Sequence, residues 1–301
     1  MHLPFLYTLS VIMLAYFLKK IGFLHADDSS LLSKIVMNLT LPAIILITIP
    51  NVSLTADLIF LPFISLIMAC MGLSLGFFLF KDSPPHLKGL MMMGTMGLNL
   101  GLFAFPILEG LFGSEGIKIA AIMDIGNAIT ILGVSYLTGA HYSPLKNKSK
   151  RNYKSLFLDF FKSTPLVAYF IGIIMNILGL HFPEALLDWM LIISRANQFL
   201  ILVVLGLVLN LDWRVHGKNG VIHLILLRLL VSTVLSVLFW NFLPYDLMIR
   251  KIIVLCLYLP TGFTIVPFSM ELGYDRDAAG AIVNISLIVG FFIMWGLMIF
   301  L

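Results

Sequence analysis

The sequence predicts an all-α membrane protein with ten transmembrane helices in two inverted five-helix repeats. Of its 301 residues, 60% are hydrophobic and only 11% are charged, against about 45–50% and about 25% in an average soluble protein. Apolar stretches of about twenty residues recur along the whole chain. Two of these stretches, at matching places in the two halves, are interrupted by glycine and proline, which is typical of a binding site near the middle of a membrane.

Ten stretches are long and apolar enough to cross a bilayer. The first one lacks the basic segment and the small-residue cleavage site of a signal peptide, so we predict that it is retained. The longest connection, residues 141–162, is basic and separates a first repeat, residues 1–140, from a second, residues 163–301. The predicted spans are residues 4–24, 31–50, 58–80, 88–112, 116–139, 164–181, 186–209, 219–243, 249–270 and 278–300.

The basic residues predict the orientation of these spans. Most of the nineteen lysines and arginines lie in the loops that follow odd-numbered spans, and such loops face the cytoplasm. Both termini are therefore predicted on the outer side, and residues 141–162 form a cytoplasmic linker whose charge fixes the topology. Because the basic residues sit in loops, the net charge of +4 does not indicate nucleic-acid binding. Five spans per half give the second repeat the opposite orientation to the first.

Spans 4 and 9 share an interrupted pattern. In span 4, Asn99 lies seven residues before Pro106, among glycines that loosen the backbone. In span 9, Pro260 lies seven residues before Pro267. An interrupted membrane helix survives only where it is buried in protein or lines a cavity. The alternative, that each proline is a kink with repacked backbone, is weaker for a matched pair than for one proline.

We expect Pro106 and Pro267 each to open a half-helix, because proline fits best in the first turn. The N-terminus of a helix carries unpaired N–H groups and about half a positive charge, so two such ends near the midplane favour an anion. Asn99, Thr261 and Thr264 would add neutral hydrogen bonds. Together with Pro260, these residues form the predicted binding site.

Ionisable residues within the spans are the other candidates, since charges at that depth are costly and usually functional. Arg195 in span 7 could bind a substrate carboxylate, or form an internal ion pair with a neighbouring acid. For Arg228 in span 8, a structural contact to carbonyl groups is the stronger hypothesis. A carboxylate that is removed from water takes up a proton more readily, which makes three acidic residues candidates for proton coupling: Glu109, Asp124 and Glu271.

No catalytic pattern accompanies these residues. The sequence contains no zinc-protease motif, nucleophile elbow, phosphate-binding loop or Cys/His metal spacing. Cys70 and Cys256 both lie in apolar spans and are predicted to be small buried hydrophobic residues. We therefore expect no enzymatic activity, no metal and no cofactor.

The order and spacing of several short motifs resemble the auxin efflux carrier family, within the bile acid/auxin/arsenite transporter superfamily. The resemblance covers nearly the whole chain. It implies ten spans, with broken spans 4 and 9 crossing at their centres and with spans 1, 2, 6 and 7 forming a scaffold. The matching pieces are NLTLP at Asn38–Pro42, Asn99 with Pro106, Leu205–Gly206, Arg228, and IVPF at Ile265–Phe268.

Family substrates are organic anions, namely auxin in plants and dicarboxylates such as malate or malonate in several bacterial members. Plant carriers have proline where this chain has Leu98, and often a longer central loop, so a bacterial-type carrier fits better. The expected protein is a secondary transporter of a mono- or dicarboxylate, working by an elevator mechanism in the bacterial inner membrane. A homodimer is left open. The alternatives are a sodium-coupled bile-acid-type symporter, an intramembrane enzyme and a non-transporting sensor.

Overall fold

The computed structural model describes residues 2–51, 56–145, 164–209 and 218–300, and this part of the chain is helical with no strands. The predicted all-α class is confirmed. The predicted linker, residues 141–162, lies outside the described residues from residue 146 onward. The α-helices are α1 (His2–Lys20), α2 (Asp28–Ile35), α3 (Leu41–Thr48), α4 (Leu61–Leu79), α5 (Pro85–Thr95), α6 (Phe105–Ile129), α7 (Tyr136–Tyr142), α8 (Thr164–Leu178), α9 (Glu184–Val208), α10 (Lys218–Phe242), α11 (Leu247–Leu257), α12 (Ile265–Leu272) and α13 (Arg276–Phe300).

Two prolines follow short π-helical segments. Val36–Thr40 precedes α3, and Leu100–Ala104 precedes α6. In each case the proline, Pro42 or Pro106, is the second residue of the α-helix that follows. Proline has no N–H to donate and is tolerated in the first turn of a helix, while a π-turn changes the hydrogen-bonding register by one residue. Pro106 therefore opens an α-helix, but helical backbone already begins at Leu100.

Six helical stretches in the described residues are long and apolar enough to cross a membrane. The interruptions account for part of the difference from ten, since they leave α5, α11 and α12 with 11, 11 and 8 residues. The apolar helix α8 is also short, with 15 residues. One stretch also joins two predicted spans across a kink at Gly113, where φ is +61°. The six are residues 28–51, 58–79, 100–142, 184–208, 220–242 and 276–300.

The chain divides into two compact units. The first contains residues 1–58, 101–121 and 157–209, and the second contains residues 59–100, 122–156 and 210–301. Predicted spans 1, 2, 6 and 7 thus fall in the first unit, as the resemblance implies for a scaffold. Residues 101–121, which are the second part of span 4 and the beginning of span 5, also belong to this unit and depart from that expectation.

In the first unit, α9 packs against α1, α2 and α3. Gly206 of α9 lies against the backbone of α1, where an added Cβ would be 2.3 Å from the carbonyl oxygen of Ile12. Lys19 donates to the carbonyl oxygens of Leu207 and Leu209 at the end of α9. Small residues that allow close backbone approach are the usual means of packing helices in membranes, which accounts for the glycine of the Leu205–Gly206 motif.

Replacing Gly206 with alanine is expected to destabilise the protein by about 1–3 kcal/mol, the usual cost of overpacking. The physical reason is that the new Cβ would meet backbone atoms, which cannot move aside as a side chain can. The measurement is the apparent melting temperature of the purified variant in detergent. Gly296→Ala in α13 is the matched control, since nothing lies within 4 Å of its added Cβ, and it should be neutral or stabilising. Equal melting temperatures for the two variants would contradict this packing argument.

In the second unit, α10 packs against α4, α5, α11 and α13, and α5 packs against α7. A buried cluster that includes Leu90, Met91, Leu224 and Ile282 fills the space between these helices. Of the two cysteines, Cys256 is buried as predicted, but the prediction for Cys70 is wrong because its side chain is exposed. It lies on α4, and an apolar residue can face lipid as readily as the protein interior.

Candidate functional site

The interruptions of spans 4 and 9 meet inside the second unit. After α5, Met96 is extended and Gly97 has a φ of +59°. The chain then forms an antiparallel bridge between Leu98 and Thr261. The N–H of Asn99 donates to the carbonyl oxygen of Pro260 over 3.0 Å. Where a helix ends, some backbone N–H and C=O groups lose their partners within that helix. Buried backbone groups must be hydrogen-bonded, and here each interruption provides partners for the other.

Arg228 of α10 connects the two interruptions. Its side chain is buried, with 5% exposed. The guanidinium donates to four carbonyl oxygens, those of Gly94 (3.1 Å), Met96 (2.8 Å), Gly97 (3.2 Å) and Leu259 (3.0 Å). The planar fork of an arginine is well suited to several acceptors at once. The predicted contact between Arg228 and carbonyl groups is therefore confirmed.

Asn127 of α6 holds the first interruption from another side. The N–H of Leu98 donates to its Oδ1 over 2.7 Å, and its Nδ2 donates to the carbonyl oxygen of Leu98 over 2.9 Å. The same Nδ2 donates to Oδ1 of Asp124 over 2.8 Å. Asp124 is thereby linked to the interruption through a single side chain.

Thr261 fixes the second interruption. Its hydroxyl donates to the carbonyl oxygen of Gly94 over 3.2 Å, and its N–H donates to the hydroxyl of Ser286 over 3.1 Å. Ser286 belongs to α13, so the contacts of this one residue reach both the end of α5 and a neighbouring helix. The predicted polar role of Thr261 thus includes a structural part.

The amide of Asn99 differs from these neighbours. The side chain is buried, with 4% exposed, and its Nδ2 has no hydrogen-bond partner among the described residues. Buried polar groups are nearly always paired, and an exception calls for an explanation. A donor that is available only to a ligand is one such explanation.

Arg228 brings a buried positive charge to this place, and Asp124 brings an acidic group through Asn127. Arg228 is ionised at any ordinary pH, and no carboxylate lies within 4 Å of it in the described parts of the chain. Its contacts are to neutral carbonyl groups, which do not cancel a full charge. Together with the free amide N–H groups of Asn99, this arrangement favours a negatively charged or carbonyl-bearing ligand.

The remaining residues of the predicted site lie in different places. Pro260 is buried in the second interruption, Thr264 is half-buried immediately before α12, and Pro267 is the exposed third residue of α12. Pro106 is buried in the first unit, where Nε2 of Gln198 donates to its carbonyl oxygen over 3.2 Å. Asn99, Pro260 and Thr261 are therefore the residues that the structure brings together.

The charged candidates are also separated. Arg195 lies midway along α9 in the first unit, with an exposed side chain, and it makes no ion pair with Glu109 in the described part of that unit. Glu109 is half-buried in the same unit. In the second unit, Glu271 is exposed and accepts a hydrogen bond from the hydroxyl of Tyr136 over 2.6 Å. Of the three acidic candidates, Asp124 is the one for which the described contacts give a bond to Asn127, which holds the first interruption.

Part of this site does not follow from the sequence. Asn127 lies one turn after Asp124 on the same helix face, but its place at the interruption was not predicted. No role was predicted for Ser286. The central position of Arg228 was also not foreseen, because three of the four carbonyl groups that it binds come from a segment more than 130 positions earlier in the chain.

The protein is thus a helical membrane protein in which two interrupted spans meet around the buried guanidinium of Arg228. The chain matches the family described as membrane transport protein over residues 3–298 and belongs to that family, the auxin efflux carrier family. It is similar to an uncharacterized transporter of Methanothermobacter thermautotrophicus, with 26% identity over 296 residues, covering 94% of this chain and 92% of the relative. It is also similar to an uncharacterized transporter of Methanocaldococcus jannaschii, with 27% identity over 215 residues, covering 68% of each chain. The family and these relatives indicate an integral membrane transporter rather than an enzyme.

Proposed function

We propose that this protein is a secondary active transporter of a small organic anion, a mono- or dicarboxylate, and that it binds this anion where the two interruptions meet. The observation that carries the proposal is the unpaired, buried Nδ2 of Asn99 in the same unit as the buried guanidinium of Arg228. Unpaired donors and positive charge at interrupted helices suit a carboxylate.

The proposed layout has ten spans in two inverted repeats, residues 1–140 and 163–301, joined by the basic linker 141–162. The antiparallel bridge between Leu98 and Thr261 supports the crossing of spans 4 and 9 at their interruptions. The existence of two compact units supports an elevator mechanism, since such a mechanism needs one body that moves and one that does not. We place the protein in the bacterial inner membrane with both termini outside, because the basic loops then face the cytoplasm.

Each residue of the site has a proposed role. Asn99 is a direct ligand of the anion, and Pro260 and Thr261 shape the second interruption. Thr264 and Pro267 contribute through the first turn of α12, and Pro106 through the first turn of α6 in the first unit. Arg195, in the first unit, is a separate candidate for binding a carboxylate of the substrate.

Proton coupling is proposed to pass through Asp124, because Asn127 bonds it to the backbone of Leu98. A change in the charge of Asp124 would then change the hydrogen bonds that hold the first interruption. Glu109 and Glu271 remain candidates.

Uptake into liposomes tests this function. The substrate is the acid that gives the largest stabilisation in a thermal-shift screen of mono- and dicarboxylates. Protein-containing liposomes should accumulate that acid under a proton gradient, and Asp124→Asn should remove the stimulation by the gradient. Glu109→Gln and Glu271→Gln are the matched variants.

Three outcomes would change the proposal. Full pH dependence in all three variants would contradict the coupling assignment. Dependence on sodium without a pH effect would favour a bile-acid-type symporter. Binding without any uptake would favour a sensor on the same fold.

A further inference from the structure

A cavity lies in the second unit, away from the place where the two interruptions meet. It is bounded by α4, the middle of α5 and the end of α7, and has a volume of about 580 Å³, within the usual range of about 300–1,000 Å³ for ligand sites. Most of its wall is apolar, formed by side chains that include Leu73, Phe77, Phe78, Met92 and Leu137.

The cavity opens to the surroundings of the chain. Phe78 is 68% exposed, Phe77 is 47% exposed and Leu137 is 38% exposed, so the described residues leave this apolar wall uncovered. These side chains belong to segments that the composition places in a membrane. The medium that meets the wall is therefore hydrocarbon, and an acyl chain can lie against the apolar part of the wall.

The ammonium group of Lys88 lies beside one end of the cavity. Nζ of Lys88 lies 4.8 Å from the ring centre of Phe77 and 5.2 Å from that of Tyr142, two residues that line the wall. Contacts with aromatic faces orient an ammonium group. They leave its charge uncancelled, and the described residues place no carboxylate within 4 Å of it.

Other charged and polar residues lie at the same end of the cavity as Lys88. Lys81 and Asp82 are exposed in the loop between α4 and α5, and the exposed His86 follows on α5. His141 lines the cavity at the end of α7. Asp82 is the acidic residue of this group and lies 4.0 Å from Lys81, so the group as a whole remains positive. Charged loops of this kind mark the level of the lipid headgroups.

From this juxtaposition we propose that the cavity binds an anionic phospholipid, with an acyl chain along the apolar wall and the phosphate at Lys88 and His141. A zwitterionic phospholipid has the same chains but a headgroup with no net charge, so Lys88 gives the site its preference. A small dicarboxylate fits poorly because it has no chain to cover the phenylalanine rings. The binding of lipid at this place is separate from the transport proposal, since no residue of the paired interruptions takes part.

The test is native mass spectrometry of the purified full-length protein in detergent with added dioleoyl phosphatidylglycerol or dioleoyl phosphatidylcholine. The wild-type protein should retain phosphatidylglycerol in preference to phosphatidylcholine, and Lys88→Gln should reduce that preference about fivefold, the usual effect of one basic residue near anionic lipid. Lys118→Gln is the matched control, since Lys118 pairs with Glu115 in the first unit, and it should keep the preference.

A second variant tests the apolar part of the site. Leu137→Trp places a larger side chain at the exposed wall and should reduce retention of both lipids, whereas glycerol 3-phosphate, which lacks the chains, should not displace phosphatidylglycerol. Equal retention of the two lipids by the wild-type protein would overturn the proposal. So would unchanged preference in Lys88→Gln together with unchanged retention in Leu137→Trp. Displacement by glycerol 3-phosphate alone would show a phosphate site rather than a lipid site.

Discussion

Replacing Arg228 with glutamine is expected to destabilise the protein by about 3 kcal/mol or more. The four carbonyl oxygens that Arg228 binds would lose a charged donor in a buried place, and each buried group left unpaired costs about 1–3 kcal/mol. Glutamine has one amide with two N–H donors, so it cannot serve all four. The measurements are the yield of monodisperse protein and its apparent melting temperature in detergent.

Two further variants separate the effect of charge from that of shape. Arg228→Lys keeps the positive charge but loses the planar fork, and we expect a stability between those of the wild type and Arg228→Gln. Arg195→Gln removes another arginine within a predicted span, but one whose side chain is exposed, and it should lower the melting temperature much less. If Arg228→Gln were as stable as Arg195→Gln, Arg228 would not be what holds the two interruptions together.

Replacing Asn99 with alanine is expected to weaken anion binding by about 1–3 kcal/mol, which is roughly tenfold to over a hundredfold in affinity. Asn99→Asp should be worse, because it places negative charge beside the ligand. The ligand-free Asn99→Ala protein should be no less stable than the wild type, since the change removes a buried donor that has no partner in the described residues. Ligand affinity and ligand-free melting temperature are the two measurements.

Asn127→Ala is the matched control for Asn99→Ala. Asn127 bonds the N–H and the carbonyl oxygen of Leu98, so its loss should lower the melting temperature even without ligand. Arg195→Gln supplies a second contrast, since it should weaken the binding of malate more than that of lactate if Arg195 binds a second carboxylate. Unchanged affinity in both Asn99 variants would move the anion away from the interruptions and contradict the central part of the proposal.

The two proposed sites lie in the second unit but depend on different physical properties. The paired interruptions present unpaired donors and a buried cation, which suits a small, charged solute. The cavity beside Lys88 presents an apolar wall with one cation near its end, which suits a lipid. Variants of Lys88 should therefore change lipid retention without removing anion binding, and variants of Asn99 should do the reverse.

The helical class and the positions of the interruptions follow from the sequence because they depend on neighbouring residues. The apolar composition requires backbone groups to be satisfied within helices. Asn99 and Pro260 mark the two interruptions, and Pro106 and Pro267 lie in the first turns of the helices that follow. Even here the tertiary structure adds a detail, since π-helical backbone starts at Leu100 rather than at Pro106.

Only the tertiary structure decides what completes the interruptions. Arg228 reaches carbonyl groups more than a hundred positions earlier in the chain, and Thr261 pairs with Leu98. Such partners are chosen by which segments pack together, and a helix face with one arginine or one asparagine is compatible with many partners. The same packing leaves Nδ2 of Asn99 buried with no hydrogen-bond partner in the described residues, and no local sequence pattern specifies that outcome.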